Sequence, residues 1–213
     1  MRRDKEQTRE KIVTAAGRIL AQSGFSEFGV NAIARQAKVD KVLIYRYFGG
    51  LPEVMQALAE DTRNWPSVAE LLGPGVNLRR VTDVEDALIR LLTNTLREIR
   101  HRKVSQEIMR WGLVDRNQLT DRLAEVRDRQ WNESLSALPV DTVKYPDLDL
   151  TAMMALMLAG LTHMVLLSRT TDRYMGIDLR SNFGWQRLEK AIATLVKASF
   201  VPPKKADSRK SDR

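Results

Sequence analysis

The chain has 213 residues, enough to bury a substantial core in one or two domains. It contains no cysteine, which excludes disulfides, thiolate metal sites and cysteine nucleophiles. Its net charge of +8 is unevenly distributed: residues 1–48 carry five more basic than acidic side chains, residues 202–213 carry three more, and residues 49–201 are balanced. A positive excess concentrated in the N-terminal segment favours a polyanionic partner.

The N-terminus, MRRDKEQTREK, mixes charges of both signs and has no apolar segment. We therefore expect no signal peptide, and a cytoplasmic location fits the absence of cysteine. Residues 1–7 are predicted to be a loose basic arm. Thr8 is a suitable cap for a helix that runs to about Ser23, and Gly24 follows its last turn.

The segment Gly29–Phe48, with the sequence GVNAIARQAKVDKVLIYRYF, predicts two short helices joined by a tight turn. The first has apolar residues at helical spacing from Val30 to Ala37. Asp40 is a good N-cap for the second, whose inward face carries Ile44 and Phe48. This spacing is typical of a helix-turn-helix, in which one helix supports another that enters the DNA major groove.

The outward face of the second helix has the chemistry that DNA requires. Basic side chains can meet phosphates, tyrosine hydroxyls can reach phosphates or base edges, and apolar side chains can pack on thymine methyl groups. We predict that the DNA-binding residues are Lys41, Val42, Leu43, Tyr45, Arg46 and Tyr47. The alternative is an ordinary helical hairpin whose tyrosines and arginine only cover its surface.

Three stretches, TREKIVTAAGRILAQSGF, VNAIARQAKV and YRYF, followed by a helix start at PEVMQAL, resemble the N-terminal domain of TetR-like (TetR/AcrR) transcriptional regulators. The resemblance covers about residues 8–58. Lys38 stands where this family often has Gly, and Leu51 stands where it commonly has a phosphate-binding Lys. The resemblance implies an all-α homodimer, with an N-terminal three-helix helix-turn-helix domain and a larger helical domain for ligand binding and dimerisation.

We accordingly expect a DNA-binding domain at residues 1–50, an effector-binding and dimerisation domain at 51–201, and a disordered basic tail at 202–213. Further helices are predicted from Pro52 to about Arg63, from Ser67 to Leu72, to about His101 after a capping box of Thr82 and Glu85, over 103–114, and onward to Leu138. Residues 139–146 are predicted to be a linker.

Leu150–Ser168 holds no formal charge and is long enough to raise a transmembrane interpretation. Polar interruptions and flanks without a charge bias argue against it, so we expect no membrane partner. Small residues recur at helical spacing and would let another helix approach closely. With a last helix over Asn182–Ser199, we predict a four-helix dimer interface formed by Ala152, Ala155, Ala159, Thr162, His163, Trp185, Leu188, Ile192 and Leu195.

The resemblance also implies a small effector. Methionine and tryptophan side chains suit an adaptable, largely apolar pocket, although ordinary core packing explains each residue equally well. The predicted lining is Met55, Leu88, Leu92, Met109, Trp111, Trp131, Met153 and Met157.

Sequence motifs of catalysis are absent: there is no HExxH, no Gly-rich phosphate loop and no nucleophile elbow. We therefore predict no enzymatic activity, no catalytic residue, no metal site and no cofactor. The favoured function is a ligand-responsive regulator, a repressor that binds a pseudo-palindromic double-stranded operator as a dimer and is released by its effector. The alternatives are a structural or adaptor protein that uses the hairpin for protein contacts, and a small enzyme with an unrecognised site.

Overall fold

The computed structural model describes residues 2–61, 66–73, 76–77, 80–114, 118–141 and 143–202. Within them the fold is helical, as predicted, with one two-stranded hairpin that the sequence did not reveal. The elements are α1 (Arg2–Ser23), a short 3-10 helix (Phe25–Glu27), α2 (Val30–Ala37), α3 (Lys41–Phe48), α4 (Leu51–Glu60), α5 (Val68–Leu72), α6 (Val84–His101), α7 (Lys103–Val114), α8 (Gln118–Ser136), α9 (Leu150–Leu167), β1 (Arg173–Tyr174), β2 (Ile177–Asp178) and α10 (Asn182–Ser199).

The predicted N-terminal arm is wrong, because α1 already begins at Arg2. Thr8 does not cap the helix. Its hydroxyl donates a hydrogen bond of 2.7 Å to the carbonyl of Asp4, one turn earlier in the same helix. A threonine hydroxyl can bond in this way inside a helix as readily as it caps one, so the residue type alone did not locate the helix start.

The cap predicted at Asp40 forms, whereas the capping box predicted at the start of α6 does not. Asp40 caps α3, and Ser67 with Glu70 forms a complete capping box on α5. The predicted box of Thr82 and Glu85 does not form. Asp83 caps α6 instead, accepting a 2.9 Å hydrogen bond from the amide of Asp86. Aspartate is as strong a cap as threonine, which moves the helix start by one residue.

Two hydrophobic clusters form the core. The first, which we call the head cluster, joins α1 to α4 and includes Ile108, Leu123 and Val126 from α7 and α8. The second, the body cluster, is built on α6 with α5, α9 and α10 around it. Because α4 packs against both α1 and α8, it joins the two parts of the chain through buried contacts. The predicted end of this helix, near Arg63, lies outside the described residues.

The start of α10 is fixed in place by a close backbone approach. A Cβ atom at Gly184 would lie 1.8 Å from the carbonyl oxygen of Asp178 in β2, so no other residue fits there. The indole N–H of the next residue, Trp185, donates to the carbonyl of Leu179 at 2.8 Å, and the guanidinium of Arg100 lies 4.2 Å from the centre of its ring. Trp185 is therefore a core residue that attaches α10 to α6.

Helix α9 is apolar on all sides, yet most of it lies on the surface of the single chain. It meets the length and composition criteria for a membrane span, with a mean hydropathy of 1.9, but only 17% of its residues are buried. The buried ones are Met154, Leu161 and Val165. The expected burial on both sides of this helix is not satisfied within one chain. Buried helices of soluble assemblies have the same composition.

Candidate functional site

Helix α3 combines a buried side with a polar, exposed one. The Asp40 carboxylate accepts a 2.8 Å hydrogen bond from the amide of Val42 and so defines the first turn. Ile44 and Phe48 are buried in the head cluster, as their spacing predicts. On the other side Val42 is 60% exposed and Tyr45 is 54% exposed.

The remaining predicted DNA-binding residues divide into two groups. Lys41 and Arg46 are exposed, like Val42 and Tyr45, whereas Leu43 and Tyr47 are half-buried. Tyr47 lies against α1: its carbonyl accepts a hydrogen bond from the Arg9 guanidinium, and the Lys5 ammonium lies 5.7 Å from the centre of its ring. The described structure thus places four freely exposed side chains on the outer face of α3, with basic groups of α1 at its C-terminal end.

The turn between α2 and α3 has an unusual backbone. Lys38 ends α2 in the left-handed region, with φ 56° and ψ 46°. Glycine takes this conformation without strain, while other residues do so at a cost, which explains the family preference for Gly noted above. The side chain of Lys38 is exposed, so the turn keeps its geometry and adds a basic group.

Another contact between the N-terminal helices α1 to α3 (the head) and the later helices (the body) lies just after the end of α1. The ring of Phe25 lies 5.3 Å from that of Trp111 in α7. Beside it, the buried Glu107 accepts hydrogen bonds from Arg110, at 2.9 and 3.1 Å, and from Arg169, at 2.5 Å. The indole N–H of Trp111 is buried and has no hydrogen-bond partner in the described structure. Polar and aromatic contacts therefore supplement α4 in joining the two parts.

A cleft of about 780 Å³ opens between α8 and α9. The buried side chains Thr95, Ile99 and Met109 contribute its inner wall. The full lining is Thr95, Ile99, Met109, Leu113, Ala124, Glu125, Arg127, Asp128, Trp131, Asn132, Leu135, Thr151, Met154, Ala155, Leu158, Ala159, Thr162 and His163. Burial lowers the pKa of Arg127 from its ordinary value, because the charged form loses hydration. The cleft has the size of a small-molecule site.

Only part of the predicted effector lining faces this cleft. Met109 and Trp131 line it. Met55 is buried in the head cluster, Leu88 and Leu92 are buried in the body cluster, and Trp111 packs on Phe25. Met153 and Met157 are half-buried beside the body cluster. The charged residues of this lining were not predicted. The spacing of Ala124, Asp128, Trp131 and Leu135 along one helix face could have indicated that these four residues share a surface.

The residues predicted for a dimer interface differ in their exposure within the single chain. Trp185 and Ile192 are 2% and 4% exposed inside the single chain, so their assignment to a subunit interface is wrong: α10 has an inward apolar side as well as an outward one. Leu188 and Thr162 are half-buried, and Ala152, Ala155, Ala159, His163 and Leu195 are exposed. Leu156 and Phe183 are also exposed on these helices and were not among the predicted residues.

Comparison with known proteins agrees with this architecture. Residues 12–58 match the family model of bacterial regulatory proteins, tetR family. The HTH-type transcriptional regulator SrpR of Pseudomonas putida is 25% identical over 124 residues, which is 58% of this chain and 56% of SrpR. The match therefore spans little more than half of that relative.

Solved structures extend the likeness along the chain. The fatty acid degradation regulator FadR from Bacillus halodurans aligns over 88% of this chain and 96% of its own, with a TM-score of 0.65 and 21% identity. The multidrug binding protein EbrR complexed with malachite green aligns over 92% and 98%, with a TM-score of 0.62 and 21% identity. Residues 12–58 are therefore similar to the corresponding domain of bacterial regulatory proteins of the tetR family, and the fold of the whole chain is similar to those of FadR and EbrR.

Proposed function

We propose that the chain is a dimeric, effector-responsive transcriptional repressor that binds a pseudo-palindromic DNA operator. The observation that carries this proposal is helix α3, whose buried Ile44 and Phe48 hold an outer face of exposed Lys41, Tyr45 and Arg46. Buried anchors fix the helix rigidly, and the exposed residues can meet phosphates and base edges. The positive excess in residues 1–48 supplies the attraction to DNA.

The dimer is proposed from the exposed apolar sides of α9 and α10. Leu156 is 77% exposed and Leu195 is 58% exposed, with Ala152 and Phe183 exposed on the same two helices and outside the lining of the cleft. A second copy of the chain would cover these surfaces symmetrically, because a two-fold interface uses the same patch twice. Two α3 helices would then meet major-groove faces about 34–36 Å apart, or a multiple of that.

The effector is proposed to bind in the cleft between α8 and α9, whose lining is largely apolar. EbrR, which has a similar fold, is described as a multidrug binding protein and is complexed with malachite green. Two of the helices that line the cleft also touch the head: α8 supplies Leu123 and Val126 to the head cluster, and α7 supplies Trp111 against Phe25. A ligand that favours one arrangement of α7 and α8 would shift the orientation of the head by its differential affinity.

The division of the chain stays a proposal as well: residues 1–50 bind DNA, residues 51–201 bind effector and dimerise, and the protein acts in the cytoplasm. The predicted disordered tail, residues 202–213, lies outside the described part of the chain except for Pro202.

Selection of duplexes from a random DNA library, followed by gel shift at moderate salt, tests the function. The proposal expects enrichment of a sequence with two inverted half-sites, bound by two chains. A protein that enriches no sequence, or binds all duplexes alike, would be a structural or enzymatic helical protein instead. A Lys41→Gln, Arg46→Gln double variant should weaken binding to every duplex, because phosphate contacts carry no sequence information.

A further inference from the structure

The head is held against the body at two separate places. The first is α4, which continues the chain of the head and packs against α8. The second is the end of α1 and the turn after it, which lie on α7. A single helical connection leaves rotation about the helix axis free, whereas a second contact away from that axis fixes the angle. The contact after α1 therefore fixes the rotation of the head.

This second contact is close, and the backbone of the head takes part in it. Gly24 has φ 69° and ψ −162°, a conformation that is essentially confined to glycine. A Cβ atom at this position would lie 3.6 Å from the indole nitrogen of Trp111, 3.7 Å from the Arg110 guanidinium and 3.8 Å from the Glu107 carboxylate. Phe25, the next residue, adds the ring contact with Trp111. The head therefore lies directly on three side chains of α7.

Glu107 holds this group of side chains together. The Arg110 guanidinium lies 4.7 Å from the centre of the Trp111 ring and donates to one oxygen of Glu107 at 2.9 and 3.1 Å. The Glu107 side chain is only 9% exposed. Charge-assisted hydrogen bonds are short and directional, and a buried polar network of this kind favours one arrangement of its members. The positions of Arg110 and Trp111 therefore depend on Glu107.

Arg169 connects Glu107 to α9. Its guanidinium donates a 2.5 Å hydrogen bond to the other oxygen of the Glu107 carboxylate. Its backbone amide donates a 3.2 Å hydrogen bond to the carbonyl of Leu166, in the last turn of α9. Helix α9 also carries the exposed apolar side that is proposed to form the dimer. A continuous series of contacts thus runs from the proposed subunit interface to the head.

We propose that Glu107, held by Arg169, fixes the angle between head and body and so sets the spacing of half-sites that the dimer accepts. In this role Glu107 and Arg169 are positioning residues that do not touch DNA. One additional base pair between half-sites moves them apart by about 3.4 Å and rotates them by about 35°, which two rigidly held heads cannot follow. The inference rests on the proposed function, because it takes the chain to be a dimeric DNA-binding protein.

Duplexes with altered half-site spacing test the inference. Fluorescence anisotropy measures binding of the full chain to the selected duplex, to the same duplex with one or two base pairs inserted between the half-sites, and to a single half-site. We expect wild type to lose at least about tenfold in affinity for each inserted base pair, and Glu107→Gln and Arg169→Gln to lose less than about threefold. All three proteins should bind the single half-site equally, because α3 is unchanged.

Arg180→Gln is the matched control. It removes a positive charge from an exposed ion pair with Asp172 and should keep the wild-type spacing profile. A wild-type profile in both Glu107→Gln and Arg169→Gln would overturn the inference. Weaker binding of both variants to the single half-site would overturn it too, because Glu107 would then act on the head itself. Arg169 is partly exposed, so Arg169→Gln keeps the test decisive if thermal unfolding shows that Glu107→Gln is not folded.

A measurement without DNA separates this inference from the proposed function. Because the chain contains no cysteine, Lys11→Cys in α1 and Arg90→Cys in α6, both at exposed positions, can carry spin labels, and dilution with unlabelled chain restricts the distances to one chain. We expect Arg169→Gln to broaden the distance distribution. Broadening in a chain that selects no duplex would remove the regulator and, with it, the role in half-site spacing. An unchanged width and spacing profile in a chain that does select a duplex would remove the inference alone.

Discussion

Arg169 donates a 2.5 Å hydrogen bond to Glu107 across 62 residues of sequence. Arg169 lies two residues beyond the end of α9, and Glu107 lies in α7 beside the contact of Trp111 with Phe25. Burial alone would raise the pKa of the Glu107 carboxyl, but hydrogen bonds from Arg169 and Arg110 outweigh it and hold that pKa below its ordinary value. The cluster of Glu107, Arg169 and Arg110 therefore connects the C-terminal end of α9, a helix that lines the cleft, to the contact between the head and the body.

Replacing Glu107 by Gln should lower the free energy of unfolding by about 1–3 kcal/mol, since hydrogen bonds to charged groups contribute that much. Both arginines are partly exposed and can turn to water, which limits the loss. Urea denaturation measures the effect. Arg180→Gln breaks the exposed ion pair with Asp172 and should lower the free energy of unfolding by less than about 1 kcal/mol. Equal losses in the two variants would show that Glu107 contributes no more to stability than an exposed ion pair does.

The same carboxylate predicts a pH dependence. Because its pKa is lowered on folding, the stability that Glu107 contributes is present above the unfolded carboxyl pKa of about 4.3 and is lost as pH falls through the lower folded value. The difference in unfolding free energy between wild type and Glu107→Gln should thus be constant near neutral pH and shrink below about pH 4. A difference that stays constant down to pH 3 contradicts this assignment.

Ile44 should be essential for the stability of the head. It is fully buried in the head cluster, so Ile44→Ala should lower the free energy of unfolding by about 2–5 kcal/mol through lost packing and a cavity. Val42→Ala, at an exposed position of the same helix, should change it by less than about 0.5 kcal/mol. Similar losses at both positions would show that α3 does not have the buried and exposed sides described.

Leu156→Glu should dissociate the proposed dimer, because it places an unpaired charge in an apolar interface. Light scattering at micromolar concentration measures the mass of wild type and variant. Val143→Glu, in the exposed loop before α9, should remain dimeric. A monomeric wild type would mean that something other than a second copy covers α9 and α10.

The order and type of the helices could be predicted from apolar periodicity, and helix ends near Asp40, Ser67 and Asn182 followed from capping residues and spacing. The start of α1 could not, because Thr8 bonds within the helix instead of at its end. The hairpin of β1 and β2 was missed since each strand has only two residues and no alternating pattern.

The outer face of α3 also followed from the sequence, because burial of Ile44 and Phe48 depends on spacing within one helix. The cleft did not. Its lining comes from four helices, and a single sequence carries no record of which of their faces meet. The assignment of Trp185 to a subunit interface failed for the same reason: its partners Leu179 and Arg100 lie outside α10.

The central claim is that the exposed face of α3 reads DNA sequence, and Tyr45 tests it most directly. Fluorescence anisotropy would compare a selected duplex with a scrambled one at about 0.15 M ionic strength, using wild type, Tyr45→Ala and, as a control, Tyr174→Ala at the exposed hairpin. We predict that Tyr45→Ala weakens binding to the selected duplex by roughly 5–150-fold, corresponding to about 1–3 kcal/mol, and leaves the scrambled duplex and the unfolding free energy unchanged. Full affinity of Tyr45→Ala for the selected duplex, or an equal loss in Tyr174→Ala, would contradict the account.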